Sequence, residues 1–172
     1  MKSETTEKHR KETSRIINCG IIILSDTISK SQNKDDDKSG QYILEKLSDN
    51  KYDVVDYKII SDDKDTLKST IDDMINKDID VIFTSGGTGI SSRDITIETV
   101  TLLFEKELVG FGEIFRLKTY EELGSPAILT RATSGIYKNT LIFCMPGSPN
   151  AVKLGLSLVI DELPHLTKHL KE

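Results

Sequence analysis

Val81-Ile82-Phe83-Thr84-Ser85-Gly86-Gly87-Thr88-Gly89-Ile90-Ser91-Ser92-Arg93-Asp94 is the stretch on which the fold turns. Its first four residues are apolar or β-branched and read as the end of a buried strand. Thr96-Ile97-Glu98, just beyond, reads as a helix start. A glycine-rich loop between a strand and a helix exposes backbone N–H groups at the carboxyl edge of a sheet, where open α/β folds bind anionic ligands. No Gly-Lys-Ser/Thr follows, so this is no Walker loop, and Gly-x-Gly-x-x-Gly does not fit either. The loop is expected to contact a phosphate-bearing ligand by another device.

The same alternation extends both ways. Arg15 to Leu24 is β-rich, with Ile at positions 16, 17, 21, 22 and 23, and predicts a buried central strand. Ser29 to Ser39 reads as a polar loop, with Asp35-Asp36-Asp37 as a solvated acidic run. Tyr42, Ile43, Leu44 and Leu47 give a helical face. Tyr52 to Ile60 predicts a second strand, and Leu67, Ile71, Met74 and Ile75 an amphipathic helix. Asp80 to Thr84 is the third strand. A long helical region is expected from Ile97 to Leu123, broken near Gly110 and Gly112. Ala127 to Arg131 reads as a short strand. Ser134 to Ile136 and Thr140 to Met145 read as strands joined by a turn at Tyr137-Lys138-Asn139. A last helix is expected from Pro149 to Lys168, divided near Pro164. Such alternation implies an α/β fold in three layers, a mostly parallel central sheet with helices on both faces. Residues 1–14 read as a flexible N-terminal tail and 15–172 as a single domain.

A chain of 172 residues with 37% hydrophobic and 30% charged residues suits one globular domain with a sizeable core. Its apolar runs are strand-length, and its first residues carry no apolar signal core. No membrane span and a cytoplasmic location are therefore expected. The net charge of −5 argues against nucleic acid as partner, because no dense basic face is evident. Cys19 and Cys144 lie in strand-like apolar runs and are expected to be inert core thiols. His165 and His169 share a helical face, but two histidines without a third ligand make a weak metal signal.

In this fold the loops after the strands gather on one edge. Here they carry Ser25-Asp26, Ile60-Ser61-Asp62-Asp63, the run from Ser85 to Asp94, and Met145-Pro146-Gly147-Ser148-Pro149-Asn150. A glycine loop, a helix N-terminus and two carboxylates facing one cleft would suit a phosphate ligand with a divalent cation. Plainer readings exist for each element. The glycines could form only a tight turn, and Asp62 could cap the helix near Lys64. Asp94 could be a cap as well, although Thr96 competes for that role and would leave Asp94 free. Ser148-Pro149 is a cap followed by a first-turn proline, which also leaves amides aimed at the ligand edge. Val109-Gly110-Phe111-Gly112-Glu113-Ile114-Phe115 is apolar and glycine-punctuated, and is expected either in the core or at a subunit interface.

Together these residues resemble the MoaB/MogA family of molybdenum cofactor biosynthesis proteins, in its MoaB branch. The matches are Ser25-Asp26, Asp37-x-Ser39-Gly40, Gly86-Gly87-Thr88-Gly89-x-x-x-Arg93-Asp94-x-Thr96, Gly110-Phe111-Gly112-Glu113-x-Phe115-Arg116 and Met145-Pro146-Gly147-Ser148-Pro149. The resemblance implies binding of molybdopterin, a pterin dithiolene with a terminal phosphate. It implies transfer of AMP from Mg-ATP to that phosphate, with Mg²⁺ as cofactor and ATP and molybdopterin as substrates. It places catalysis and metal binding on Asp62 and Asp94. It places substrate and nucleotide binding on Ser25, Asp26, Ser39, Gly40, Gly86, Gly87, Thr88, Gly89, Pro146, Gly147, Ser148 and Pro149. It also implies a homo-oligomer, a trimer or a hexamer. Some members of the branch do not catalyse adenylylation, so a non-catalytic molybdopterin-binding or carrier paralogue is the alternative. Ile97 stands where many members have proline, a change of little consequence at a first helical turn.

Overall fold

A computed structural model describes residues 16–31 and 36–172. The proposed tail, Arg15 and Asp35 lie outside the described residues. In order, the chain forms β1 (Asn18–Leu24), α1 (Asp26–Ser31), α2 (Lys38–Asp49), β2 (Asp53–Ile60), α3 (Lys64–Ile75), β3 (Val81–Ser85) and α4 (Thr96–Leu103). It continues with β4 (Lys106–Glu107), α5 (Val109–Leu123), β5 (Thr133–Tyr137), β6 (Thr140–Met145), α6 (Pro149–Val159) and α7 (Leu163–Leu170). Short 3₁₀ turns occupy Ser125–Leu129 and Ile160–Glu162.

The strands form one sheet in the order β2-β1-β3-β6-β5-β4. β2, β1, β3 and β6 are parallel, and β5 and β4 continue antiparallel. The three-layer, mostly parallel arrangement expected from the alternation is the one found. The pleat sorts the apolar residues to two faces. Cys19, Ile21 and Ile23 of β1, Val81 and Phe83 of β3, and Leu141, Phe143 and Met145 of β6 pack with α2, α5 and α6. Ile22 and Leu24, Ile82, and Ile142 and Cys144 pack with α3 and α4. On the first face, Phe143 lies 5.6 Å from Phe83 and 5.2 Å from Phe111 between ring centroids. Both cysteines are buried and free, and burial pushes the Cys144 thiol up to about 12. They are inert, as their setting predicted.

From β1 the chain crosses to β2 on one side, and from β3 it crosses to β6 on the other. The crevice between β1 and β3 is therefore the place where winding reverses, and ligands of open α/β sheets bind at that place. Leu24, Ser85 and Met145 end their strands on this edge.

Several expectations are corrected. Asp26–Ser31, partly assigned to a loop, is a short helix capped by Ser25, whose Oγ accepts from the Ile28 N–H at 3.3 Å. Asp37 is not a solvated acid. It is buried, caps α2 by accepting from the Gly40 N–H at 2.8 Å, and also accepts from the Tyr57 hydroxyl. The helical region 97–123 does not break at its glycines. It breaks at Phe104, where the Glu105 N–H binds Ile136 O and the Leu108 N–H binds Ser134 O, drawing the chain into β4 at the sheet edge. Gly110 and Gly112 lie inside α5 instead, and a Cβ at Gly112 would come within 2.6 Å of Ala132 O. Ala127 to Arg131 is no strand, because residues 125–129 turn as a 3₁₀ helix after Gly124. The last helix is divided at Ile160–Glu162, and Pro164 sits harmlessly in the first turn of α7.

Candidate functional site

The loop after β3 is held in place by its own backbone. Gly86 and Gly87 have φ of 105° and 62°, values that side chains resist. The Gly86 N–H donates to Met145 O at 3.1 Å, tying the glycine loop to the end of β6. The Thr96 Oγ donates to Gly86 O at 2.9 Å, and its N–H donates to Gly87 O at 2.9 Å. Thr96 is thus the first residue of α4 and not its cap, which corrects the sequence expectation. Ile95 occupies the cap position without a side-chain bond. Threonine ties both glycine carbonyls and so fixes the shape of the loop.

Asp62 and Asp63 divide the roles that sequence left open. Asp63 caps α3, with Oδ1 accepting from the Thr66 N–H at 2.8 Å. Asp62 therefore is not the cap. Its N–H donates to Asp26 Oδ1 at 3.3 Å, and its own Oδ1 is buried with no hydrogen-bond partner. A Cβ at Gly87 would stand 2.9 Å from that oxygen and 2.5 Å from Thr96 Oγ. Desolvation, then the charges of Asp26 and Asp94, raise the Asp62 carboxyl above the usual range, with Arg93 opposing. An unpartnered, desolvated carboxylate oxygen beside other acids is a group that a cation would stabilise.

Asp94 is no helix cap. Its Oδ2 accepts from the Ser91 N–H at 2.8 Å and lies against Gly89. Hydrogen bonds from Ser91 hold its carboxyl below the ordinary range. Among the described residues no cluster of three or more His, Cys, Asp or Glu converges on one point. Mg²⁺ needs no such cage, since it keeps waters and takes one or two carboxylates plus phosphate oxygens. Asp62 and Asp94 fit that pattern.

The other predicted residues gather on the α2 and α6 side of the glycine loop. Ser39 is buried, and its hydroxyl donates to Gly147 O at 2.8 Å, across 108 positions of sequence. Ser85 donates to Pro146 O at 3.3 Å. Ser148 accepts from the Ala151 N–H at 3.2 Å and caps α6, with Pro149 following as expected. Gly147 packs on Gly86, since a Cβ there would lie 3.3 Å from the Gly86 Cα. A cavity of about 360 Å³ opens between these parts, lined in part by Leu24, Ser25, Ser39, Gly147 and Pro149. Thr88 is buried in the loop itself. Gly40 does not face the cavity, because its N–H is taken by Asp37 and the Tyr57 ring closes over it. The edge thus has two sides: Asp62, Gly87, Gly89 and Asp94 at the starts of α3 and α4, and the cavity at the starts of α2 and α6. Sequence reasoning missed the Asp63 cap and the Ser39–Gly147 tie. The Asp63-x-x-Thr66 spacing was a signal for the first, and nothing local signals the second.

Residues 20–165 match the family model described as "Probable molybdopterin binding domain". A molybdopterin adenylyltransferase of Pyrococcus furiosus is 45% identical over 96% of this chain and 98% of its own length. Molybdenum cofactor biosynthesis protein B of Bacillus subtilis is 40% identical over 98% of each. The crystal structure of the tungsten cofactor synthesizing protein MoaB from Pyrococcus furiosus superposes with a TM-score of 0.85 at 44% identity, covering 92% of this chain and 99% of that one. With a family model spanning most of its length and relatives of this similarity, the chain belongs to the MoaB branch of the molybdopterin-binding domain family.

Proposed function

We propose that this protein transfers the adenylyl group of ATP to the terminal phosphate of molybdopterin, a step of molybdenum cofactor biosynthesis. The observation that carries the reading is the buried, unpartnered Asp62 Oδ1 pressed against the glycine loop beside Asp94. The similarity to a relative named for this activity supports it.

In the reaction, a phosphate oxygen of molybdopterin attacks the α-phosphorus of ATP. A new P–O–P bond forms, the α–β anhydride bond breaks, and pyrophosphate leaves with its electron pair. Two polyanions must meet, so positioning and charge neutralisation are the main tasks. Asp62 and Asp94 are the residues that would hold a Mg²⁺ ion, which would supply positive charge beside the phosphates. The loop at Gly87 and Thr88 and the capped N-terminus of α6 at Ser148 supply further positive potential. Thr96 keeps the glycine loop in the one shape that brings its amides and Asp62 together.

The protein is proposed to act in the cytoplasm; among the described residues no helix is long and apolar enough to cross a membrane. It is proposed to act as a homo-oligomer, a trimer or a hexamer. Ile114, Leu117, Tyr120 and Leu123 on α5 each leave about half or more of their surface exposed. Beside them an apolar cavity of about 350 Å³ opens between α5, α6 and α7. A second copy of this chain is the occupant proposed for that face.

The test is pyrophosphate release by the purified protein given ATP, Mg²⁺ and molybdopterin. Release that requires all three supports the transfer. Tight molybdopterin binding without any release would establish the carrier reading instead.

A further inference from the structure

The cavity on the α2 and α6 side has a floor of Ile23, Leu24 and Ile28 and a polar rim. An apolar floor with a few polar groups suits a flat ring carrying a phosphate. Yet the rim offers few donors to such a phosphate. The Ser39 hydroxyl is already donated to Gly147 O, and the Ser85 hydroxyl to Pro146 O. Asp36 and Asp37 also line the rim, and their charge opposes an incoming anion. Asp37 is buried and engaged by Gly40 and Tyr57, while Asp36 is exposed. Lys38 is the only cation in the lining among the described residues. It is the first residue of α2, exposed, and in no ion pair among the described residues. Other cations are committed elsewhere, as Lys46 is to Asp49, Lys77 to Asp56 and Lys138 to Asp72.

We propose that Lys38 is a phosphate-contacting residue of this cavity, its ammonium holding a phosphate oxygen of the substrate that enters there. The proposal rests on the adenylyl-transfer reading for the identity of that substrate. The shared chemistry is a phosphate group, supplied by molybdopterin or by ATP. Lys38 supplies a point charge where the Ser39 and Ser85 hydroxyls are donated elsewhere and the neighbouring carboxylates repel, leaving the Ser25 hydroxyl as the other side-chain donor of the rim.

The experiment measures dissociation constants of ATP and of molybdopterin separately, with steady-state kinetics, for wild type, Lys38→Met and Lys38→Arg. Lys38→Met is expected to weaken one of the two ligands about tenfold or more, the scale of a lost charge-assisted hydrogen bond. Its binding should also depend less on salt. Lys38→Arg should restore most of the affinity, which a merely structural role at a helix start would not require. Weakened ATP binding places the nucleotide in the cavity, and weakened molybdopterin binding places the pterin there. Unchanged dissociation constants for both ligands in a folded Lys38→Met protein would overturn the proposal. A wild-type protein that binds both ligands but never releases pyrophosphate would sink the transfer reading alone, because the Lys38 result is read from binding.

Discussion

At the residue scale, Asp62 keeps Oδ1 buried without a partner, whereas Asp94 is held by Ser91. Asp62→Asn and Asp94→Asn should each fold, bind molybdopterin almost normally and lose turnover by on the order of a hundredfold. Their stabilities should move in opposite directions. The folded carboxyl of Asp62 is raised, so its charge works against folding at neutral pH, and that penalty vanishes as pH falls through the raised value. Asp62→Asn should therefore raise the neutral-pH melting temperature. The carboxyl of Asp94 is lowered, so it contributes stability above the ordinary carboxylate range and loses it as pH falls through the lowered value. Asp94→Asn should lower the melting temperature slightly. Thermal melts at two pH values check both signs, and a destabilised Asp62→Asn would show that the Asp62 charge contributes to folding instead of opposing it. Gly87→Val, with φ of 62° and a Cβ that would meet both Thr96 and Asp62, should abolish binding of ATP and molybdopterin. Normal binding by that variant would reduce the loop to a turn.

At the element scale, the start of α3 separates a cap from a functional acid in adjacent residues. Asp63→Ala removes the bond to Thr66 and should cost about 0.5–2 kcal/mol of stability. Its specific activity should stay near wild type, because Asp63 is exposed and points away from the loop's carboxylates. Denaturant midpoints and initial rates together check this; lost activity at full stability would reverse the two assignments. The break between α4 and α5 makes a second point at this scale. Residues 97–123 read as helix with a break near Gly110 and Gly112, but Phe104 to Leu108 meet the edge of β5, and the ladder bonds to Ile136 and Ser134 outweigh local preference there.

At the scale of the whole molecule, the sheet holds two hydrophobic faces apart and lets four loops meet on one edge. Phe143 sits among Phe83, Phe111 and α6, fully buried. Phe143→Ala should cost about 3–5 kcal/mol, enough to threaten folding in a domain of ordinary stability. Along α5, Ile114, Leu117, Tyr120 and Leu123 are exposed among the charged residues Glu113, Arg116, Lys118, Glu121 and Glu122. The wild type should sediment as a trimer or hexamer at micromolar concentration, and Leu117→Glu should shift it toward monomer without loss of helix content. A monomeric wild type would overturn the proposed interface.

The strands, most of the helices and their α/β class were legible in the sequence, because apolar spacing is a local property that the chain carries with it. So were the glycine loop and the Ser148-Pro149 helix start, whose residue types have few other uses. The choice between Asp62 and Asp63 as cap, the double tie made by Thr96 and the Ser39–Gly147 bond were decided by tertiary structure alone. Asp62 and Asp63 both precede the helix, and only the loop packed against them fixes which carboxylate turns inward. Ser39 and Gly147 are 108 positions apart, so their bond exists only once β1, β3 and β6 stand side by side. Periodicity reports which face of an element is buried, and not what waits on the other side.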